Sequence, residues 1–578
     1  MHIAKRVAIG LFSCAAALPT YATDEIPATD NVLRALVDEL QRSLTLQLED
    51  LEKPYFIQYS VDEVRAVRIA GSYGALVGSS DETSRRFQCQ VRVGSPELDN
   101  TNFRGGGVGG RGARGGRGGG AFGGAAALPI DDDYTAIRQA IWRVTDSAYR
   151  DAVETLTQKR AYMEDKKTDE RAADFSAADP VVALETRREF TVDRARWEDY
   201  VRKISARFRE YPHILDANVS LSLGSENKYL INSEGTQLRR GEGAVMLRTT
   251  AFLQAEDGQR LGDGCTYLGE SPEDLPSIEV VLADLDQLAA KLGRLAKAPV
   301  LEDYSGPVLF DGVAAGQFLE SLLASGLAGQ PDAVGVQRRR QATTENLESQ
   351  LGKRILPAGF QVYDNPTEPR HGSQWLAGHF RFDEEGVAAQ RVSLVEDGKL
   401  VNLLMSRVPT RERSGSNGHA RAGARAGIGN LFVTDSGGVA RAELLESLLE
   451  LAEAEGLEYA IRVTALAPAF GGGQDLRALL ARAQGGAGGR LNDPLYVYKV
   501  FVDDGREELV RGCEFGEVTL RALKRIEAAG DTPTVHNDAL RGTAIIAPPL
   551  LVSEMELAKI QAENDTKPIL EAPHQRQR

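Results

Sequence analysis

The chain has little cysteine and little histidine. Its 578 residues include four cysteines, at positions 14, 89, 265 and 513, and seven histidines. No two cysteines form a C-x-x-C pair, so a disulfide-stapled scaffold and a zinc finger are both excluded. Aromatic residues make up only 6% of the chain, and neither a G-x-S-x-G elbow nor a phosphate-binding P-loop occurs. No stretch approaches about eighteen consecutive apolar residues, which excludes a multi-span helical membrane protein. Net positive charge is missing too: 68 Lys and Arg against 83 Asp and Glu give −15. An acidic body has no general affinity for nucleic-acid phosphates.

What is present is the mix of a folded protein, 42% hydrophobic and 26% charged. At roughly 100–200 residues per domain, the length implies two to four domains. The N-terminus has the three-part layout of a Sec-type signal peptide: basic Lys5 and Arg6, an apolar run from Val7 to Leu18, and small residues before a cleavage point after Ala22. The expectation is export to the periplasm or beyond, with residues 1–22 removed. Cys14 offers a lipidation option that Phe12 and the continuing apolar run disfavour. Cleavage would leave 66 bases against 83 acids, a charge of −17. It would also leave three cysteines, an odd number, so at least one stays unpaired within the chain.

Periodicity divides the rest. A helical stripe (Val32, Leu33, Leu36, Val37, Leu40, Leu44, Leu46, Leu48) covers 30–52. Strands follow at 56–59, 64–69, 71–77 and 87–93, with Asp62-Glu63 and Ser79-Ser80-Asp81 as turn residues. A long helix is expected over 136–161 and another over 197–208. Strands are expected at 214–223 and 228–232, then a helix over 279–295. From Ala298-Pro299 to about Lys559 the chain is rich in short strands with glycine turns, and beyond it lies a frayed tail, 561–578. Mixed elements without βα alternation define an α+β protein. Two large units are expected, 23–297 and 298–560.

The tract 104–124 repeats Arg-Gly units in the manner of RNA-binding tails. It lies between a strand and a helix of an acidic protein, and only Phe103 and Phe122 supply aromatic interleaving. It reads as a disordered loop that cannot build a packed core. Polyanion binding through it is the weakest functional reading.

One stretch carries a family resemblance. It runs from Glu302-Asp-Tyr-Ser-Gly-Pro-Val-Leu-Phe310 through Arg391-Val-Ser-Leu-Val-Glu-Asp-Gly-Lys-Leu-Val-Asn-Leu-Leu404, Ser406-Arg407 and Asn417-Gly-His-Ala-Arg421 to Asn430-Leu-Phe432. This order, with Gly71-Ser-Tyr-Gly74 and Ile231-Asn-Ser-Glu-Gly235 upstream, resembles the TldD/PmbA family of bacterial zinc metallopeptidases and their partner subunits. The resemblance implies an α+β N-terminal domain and a largely antiparallel C-terminal domain with a helix at the metal-motif position. In active members that helix reads H-E-x-x-x-H, and a late cysteine completes the zinc site. Two histidines on one helix can converge on a metal while the glutamate polarises its water.

Here Glu320 stands at the glutamate position, but Leu319 and Ala324 or Ser325 stand where the histidines belong. No cysteine occurs from Asn537 to Pro548. Apolar side chains donate no lone pair, so the family zinc is not expected and no cofactor is assigned. Glu320 is the single catalytic candidate, in a degenerate motif, and without metal it suits a helix or peptide-amine role. His371 and His379 flank a strand-like stretch, 374–382, that would hold them roughly 26 Å apart. His419 and His536 fall in loop-like sequence.

The resemblance further implies an unfolded or leader-like peptide ligand lying along strands beside the helix, a binding mode that needs no metal. Arg407, Asn417, His419 and Arg421 match family positions near that groove and would contact peptide backbone or carboxylate; a structural loop with surface arginines is the alternative. The expectation is therefore a non-catalytic, peptide-binding subunit, a homodimer or the heterodimeric partner of a zinc-bearing paralogue, with no nucleic acid and no membrane span. A metallopeptidase with non-standard ligands is the competing reading.

Overall fold

A computed structural model describes residues 30–49, 51–104, 124–166, 171–331, 333–335, 347–421, 425–467, 491–561, 568 and 570–573. The expected signal segment, nearly all of the Arg-Gly tract and most of the tail lie outside the described residues.

The N-terminal part is built on one antiparallel sheet. Its strands are β1 (Pro54–Ser72), β2 (Ala75–Val93), β3 (Gly124–Ala127), β4 (Val182–Leu184), β5 (Asp216–Asn232), β6 (Gln237–Gln254) and β7 (Arg260–Gly269). The order is β3-β2-β1-β5-β6-β4, with β7 also on β6; only the β4–β6 pair is parallel. Period-two alternation gives β1 two different faces. Ile57, Tyr59 and Val61 pack under α1 (Asn31–Ser43) and α2 (Tyr134–Lys166), while Val67 and Ile69 pack under α3 (Arg194–Ala206) and α4 (Ile278–Lys297). The alternate residues Phe56, Gln58 and Asp62 face the C-terminal part.

The C-terminal part has two sheets. One comprises β8 (Tyr304–Phe310), β13 (Tyr459–Leu466), β14 (Pro494–Phe501), β15 (Glu507–Val510), β16 (Cys513–Phe515), β17 (Ile526–Ala529) and β20 (Leu550–Lys559), in the order β15-β14-β13-β8-β20-β16 with β17 on β20. The other comprises β9 (Phe360–Asp364), β10 (Val392–Glu396), β11 (Lys399–Leu400), β12 (Asn430–Asp435), β18 (Thr534–Asp538) and β19 (Thr543–Ala547), in the order β11-β10-β9-β12-β19-β18. Helix α5 (Val313–Leu323) packs between them, against β13 on one side and β18 and β19 on the other. Helix α6 (Arg441–Ala454) covers the outer face of the first sheet through Leu444, Leu448 and Ala452. Among the described residues no helix is long and apolar enough to cross a membrane.

Several local expectations need correction. Helix α1 stops at Ser43; Leu44, Leu46 and Leu48 leave the helix yet still pack on the same core. The four short strands of 56–93 are two strands of 19 residues each, turning at Tyr73-Gly74, where both residues take positive φ (46° and 82°). Asp62-Glu63 is no turn, because its charges are absorbed on opposite faces: Glu63 by Arg85 and Arg187, Asp62 by Lys228. Likewise the two strands expected at 214–223 and 228–232 form one, Asp216–Asn232, and 374–382 is not a strand beyond Gln374–Trp375, which folds back on Arg370–His371.

Candidate functional site

Helix α5 begins after Gly312, whose φ of 57° lets the chain turn sharply out of β8. The helix is anchored by Gln317, which donates to the Leu466 carbonyl (3.4 Å) and accepts from its amide (2.8 Å) at the end of β13. Gly316 is a close-approach position: a β-carbon there would lie 2.7 Å from Cβ of His536 on β18. This contact delivers the next turn of the helix to β18 and β19.

Glu320 is buried at that junction. Its Oε2 lies 3.2 Å from His536 Nε2, and its Oε1 accepts from Thr543 Oγ1 at 3.0 Å. The Arg541 guanidinium stands 3.5 Å away, more than half exposed. Burial alone would raise the Glu320 carboxyl, but the His536 hydrogen bond and charge, with Arg541 and Thr543, hold it below the usual carboxylate range. His536 therefore belongs to a strand that faces Glu320, not to a loop.

The residues around Glu320 do not fit a zinc ion. Leu319 is fully buried in the apolar core beneath the helix, Ala324 caps its C-terminus and Ser325 points to solvent. Among the described residues no three His, Cys, Asp or Glu side chains are grouped to hold a metal. His371 meets the Phe432 ring edge-on and His379 contacts the Pro366 carbonyl, so neither joins the other. Cys89, Cys265 and Cys513 are free thiols, all with their ionisation pushed up by burial.

The four binding candidates separate into two places. Arg421 reaches toward the site: it donates to the Gly542 carbonyl (2.7 Å), next to Thr543, and lies over the Phe380 ring. Arg407 and His419 are interior. Arg407, 1% exposed, is not a surface arginine. Its Nη2 donates to Glu234 Oε1 at 2.7 Å and its Nε to the Ser176 carbonyl at 2.9 Å. A second guanidinium contact with Glu234, Nη1 to Oε2 at 2.7 Å, is an ion pair without hydrogen-bond alignment. The guanidinium also lies over Phe175 (4.0 Å) and Phe56 (5.0 Å). His419 points both ring nitrogens at acceptors, Nδ1 at the Asn417 carbonyl (2.8 Å) and Nε2 at Asp364 (3.1 Å). Asn417 closes its own loop, accepting from the Met405 amide and donating to the Leu403 carbonyl. In this arrangement neither Arg407 nor His419 is open to a ligand.

Two further residues had no distinguishing sequence signal. Asp383 and Glu385, in an Asp-x-x-Gly turn, are buried beside this network, and both carboxyls are raised by burial, Glu385 also by Asp383. The pairing of His536 with Glu320 joins positions 216 apart, and nothing local foretells it.

Residues 303–458 match the model of the PmbA/TldA metallopeptidase C-terminal domain. A metalloprotease of Synechocystis sp. is 28% identical over 199 residues, 34% of this chain and 39% of that protein. A metalloprotease of Archaeoglobus fulgidus is 28% identical over 201 residues, 35% of this chain and 40% of that protein. The chain thus matches about two-fifths of the length of these relatives. TldE from Thermococcus kodakarensis superposes with a TM-score of 0.54 at 13% identity, covering 91% of this chain and all of that one. A Thermotoga maritima protein solved as a candidate modulator of a DNA gyrase gives 0.54 at 16%, covering 87% and 96%. At these identities the structures establish a shared fold. Fold and matched domain together define a metallopeptidase-related protein. The chain is similar to the TldD/PmbA family, by sequence over residues 303–458 and by fold over most of its length.

Proposed function

We propose that this chain is a non-catalytic member of the family that binds unfolded or leader-like peptides. The observation that carries the reading is the state of Glu320: the position before it is a core leucine, and its carboxylate is taken up by His536 and Thr543. Strand β18, at the edge of its sheet and against α5, is where an extended peptide would add by backbone hydrogen bonds. Arg421 and Arg541 would supply positive charge near that edge. A zinc-bearing paralogue of the same fold would supply the hydrolysis, with both subunits outside the cytoplasm as the signal segment implies.

The test pairs binding with cleavage. A fluorescent, unstructured peptide of about twenty residues is titrated with the purified protein, and the same mixture is then followed for cleavage with and without a chelator. Retention of intact peptide in both arms supports the reading. Cleavage that the chelator abolishes would overturn it in favour of a peptidase with non-standard ligands.

A further inference from the structure

The turn Asp383–Val387 is where the C-terminal part presses into the second face of the N-terminal sheet. Gln58 of β1 donates to the Glu384 carbonyl (3.0 Å), and Arg240 of β6 donates to the Phe382 carbonyl (3.1 Å). Gly386, at φ 80°, sits so close that a β-carbon would meet Leu230 Cδ2 at 2.9 Å and Thr236 Cγ2 at 3.0 Å. Two carboxylates, each under 4% exposed, hold this turn. They are not equivalent. Asp383 accepts three backbone amides, those of Glu385, Val387 and Ala420, each at 2.9 Å. Glu385 accepts one, from Arg407 at 2.6 Å through Oε2, and its Oε1 has no partner.

The charged groups around Glu385 leave that oxygen without a counter-ion of its own. Arg92 of β2 is paired with Asp99 (2.7 Å), and Arg407 is paired with Glu234. Asp383 adds a like charge, partly balanced by His419, which is itself held by Asp364. Arg421 faces Asp383, Glu384 and Asp364. On the sheet side Lys228 is shared among Glu384, Glu226 and Asp62. A buried carboxylate with an orphan oxygen beside a second carboxylate is costly when ionised and far less so when protonated.

We propose that the Asp383–Val387 turn is a proton-dependent latch between the two parts of the chain. With the latch closed, Glu385 is seated as the neutral acid. Its ionisation releases the turn from β1, β5 and β6 and uncovers the segments that the two carboxylates hold, Met405–Arg407 and Gly418–Arg421. Those segments carry Arg407 and His419, both interior when the latch is closed. The latch does not depend on the chain binding peptides.

The test is hydrogen exchange on the full chain at pH 6, 7 and 8, corrected for intrinsic rates. Burial and Asp383 push Glu385 up to about 7, against about 4.3 for an ordinary glutamate. That difference converts to a loss of protection of about tenfold between pH 6 and pH 8 at residues 382–387, 405–408 and 418–421. Amides of α6 serve as the control within the molecule and should not follow. Glu385→Gln should flatten the profile. A flat wild-type profile, equal loss in α6, or a Glu385→Gln profile that tracks wild type would each overturn the latch. Should Glu385→Gln not fold, the wild-type comparison with α6 still decides.

Discussion

Arg407→Ala separates a binding arginine from a structural one. In the folded chain its guanidinium is 1% exposed, paired with Glu234 through two contacts of 2.7 Å, bonded to the Ser176 carbonyl and laid over Phe175 and Phe56. Breaking a buried ion pair by removing one partner costs about 3–5 kcal/mol. Glu234 keeps 29% side-chain exposure and can rehydrate, which moves the loss toward the lower end, about 3 kcal/mol. Arg407→Lys restores the charge but neither the fork nor the stacking and should recover only part of it. The assay is urea unfolding of the full chain, reading midpoint and slope together. If the alanine variant unfolds within about 0.5 kcal/mol of wild type, as surface substitutions do, and loses only peptide affinity, the interior role assigned to Arg407 is refuted.

The Glu320 site makes three further predictions. Glu320 is held low by His536, Arg541 and Thr543, so its contribution is present above the ordinary carboxylate pKa and fades as pH falls through its lowered value. Glu320→Gln should therefore destabilise by about 1–2 kcal/mol at pH 7 and approach wild type as the pH falls below that lowered value, measured by thermal unfolding. Leu319→Ala should cost about 2–5 kcal/mol, because it opens a cavity in the core under α5; a cost below about 1 kcal/mol would mean that position faces a site instead. Gly316→Ala should push α5 off β18, costing about 1–3 kcal/mol in overpacking against about 1 kcal/mol gained in helix propensity. A net gain in melting temperature would show that the approach to His536 is looser than 2.7 Å.

Some of this was legible in the sequence and some was not, for physical reasons. The helices α2, α3 and α4 follow apolar periodicity, which local burial enforces. The N-terminal hairpin was misread because Asp62-Glu63 and Ser79-Ser80-Asp81 have turn chemistry. Within a sheet those same groups find partners: Glu63 meets Arg85, and Ser79 donates to Glu198. Glu320 could be placed by its position in a motif. His536 could not, since it reaches Glu320 only through the pairing of β18 with β19. Arg407 and His419 are expected from the sequence beside a peptide groove, where charge and polarity argue for exposure. Their burial follows from partners contributed by distant segments, Glu234 for one and Asp364 for the other.

We propose that the chain has the family fold without the family metal. Zinc stoichiometry of the protein, purified at neutral pH without chelators, is the direct test. The expected value is near zero, and added zinc should not raise it after dialysis. About one tightly held zinc per chain would contradict it and would place a peptidase centre where Leu319 and Glu320 now stand.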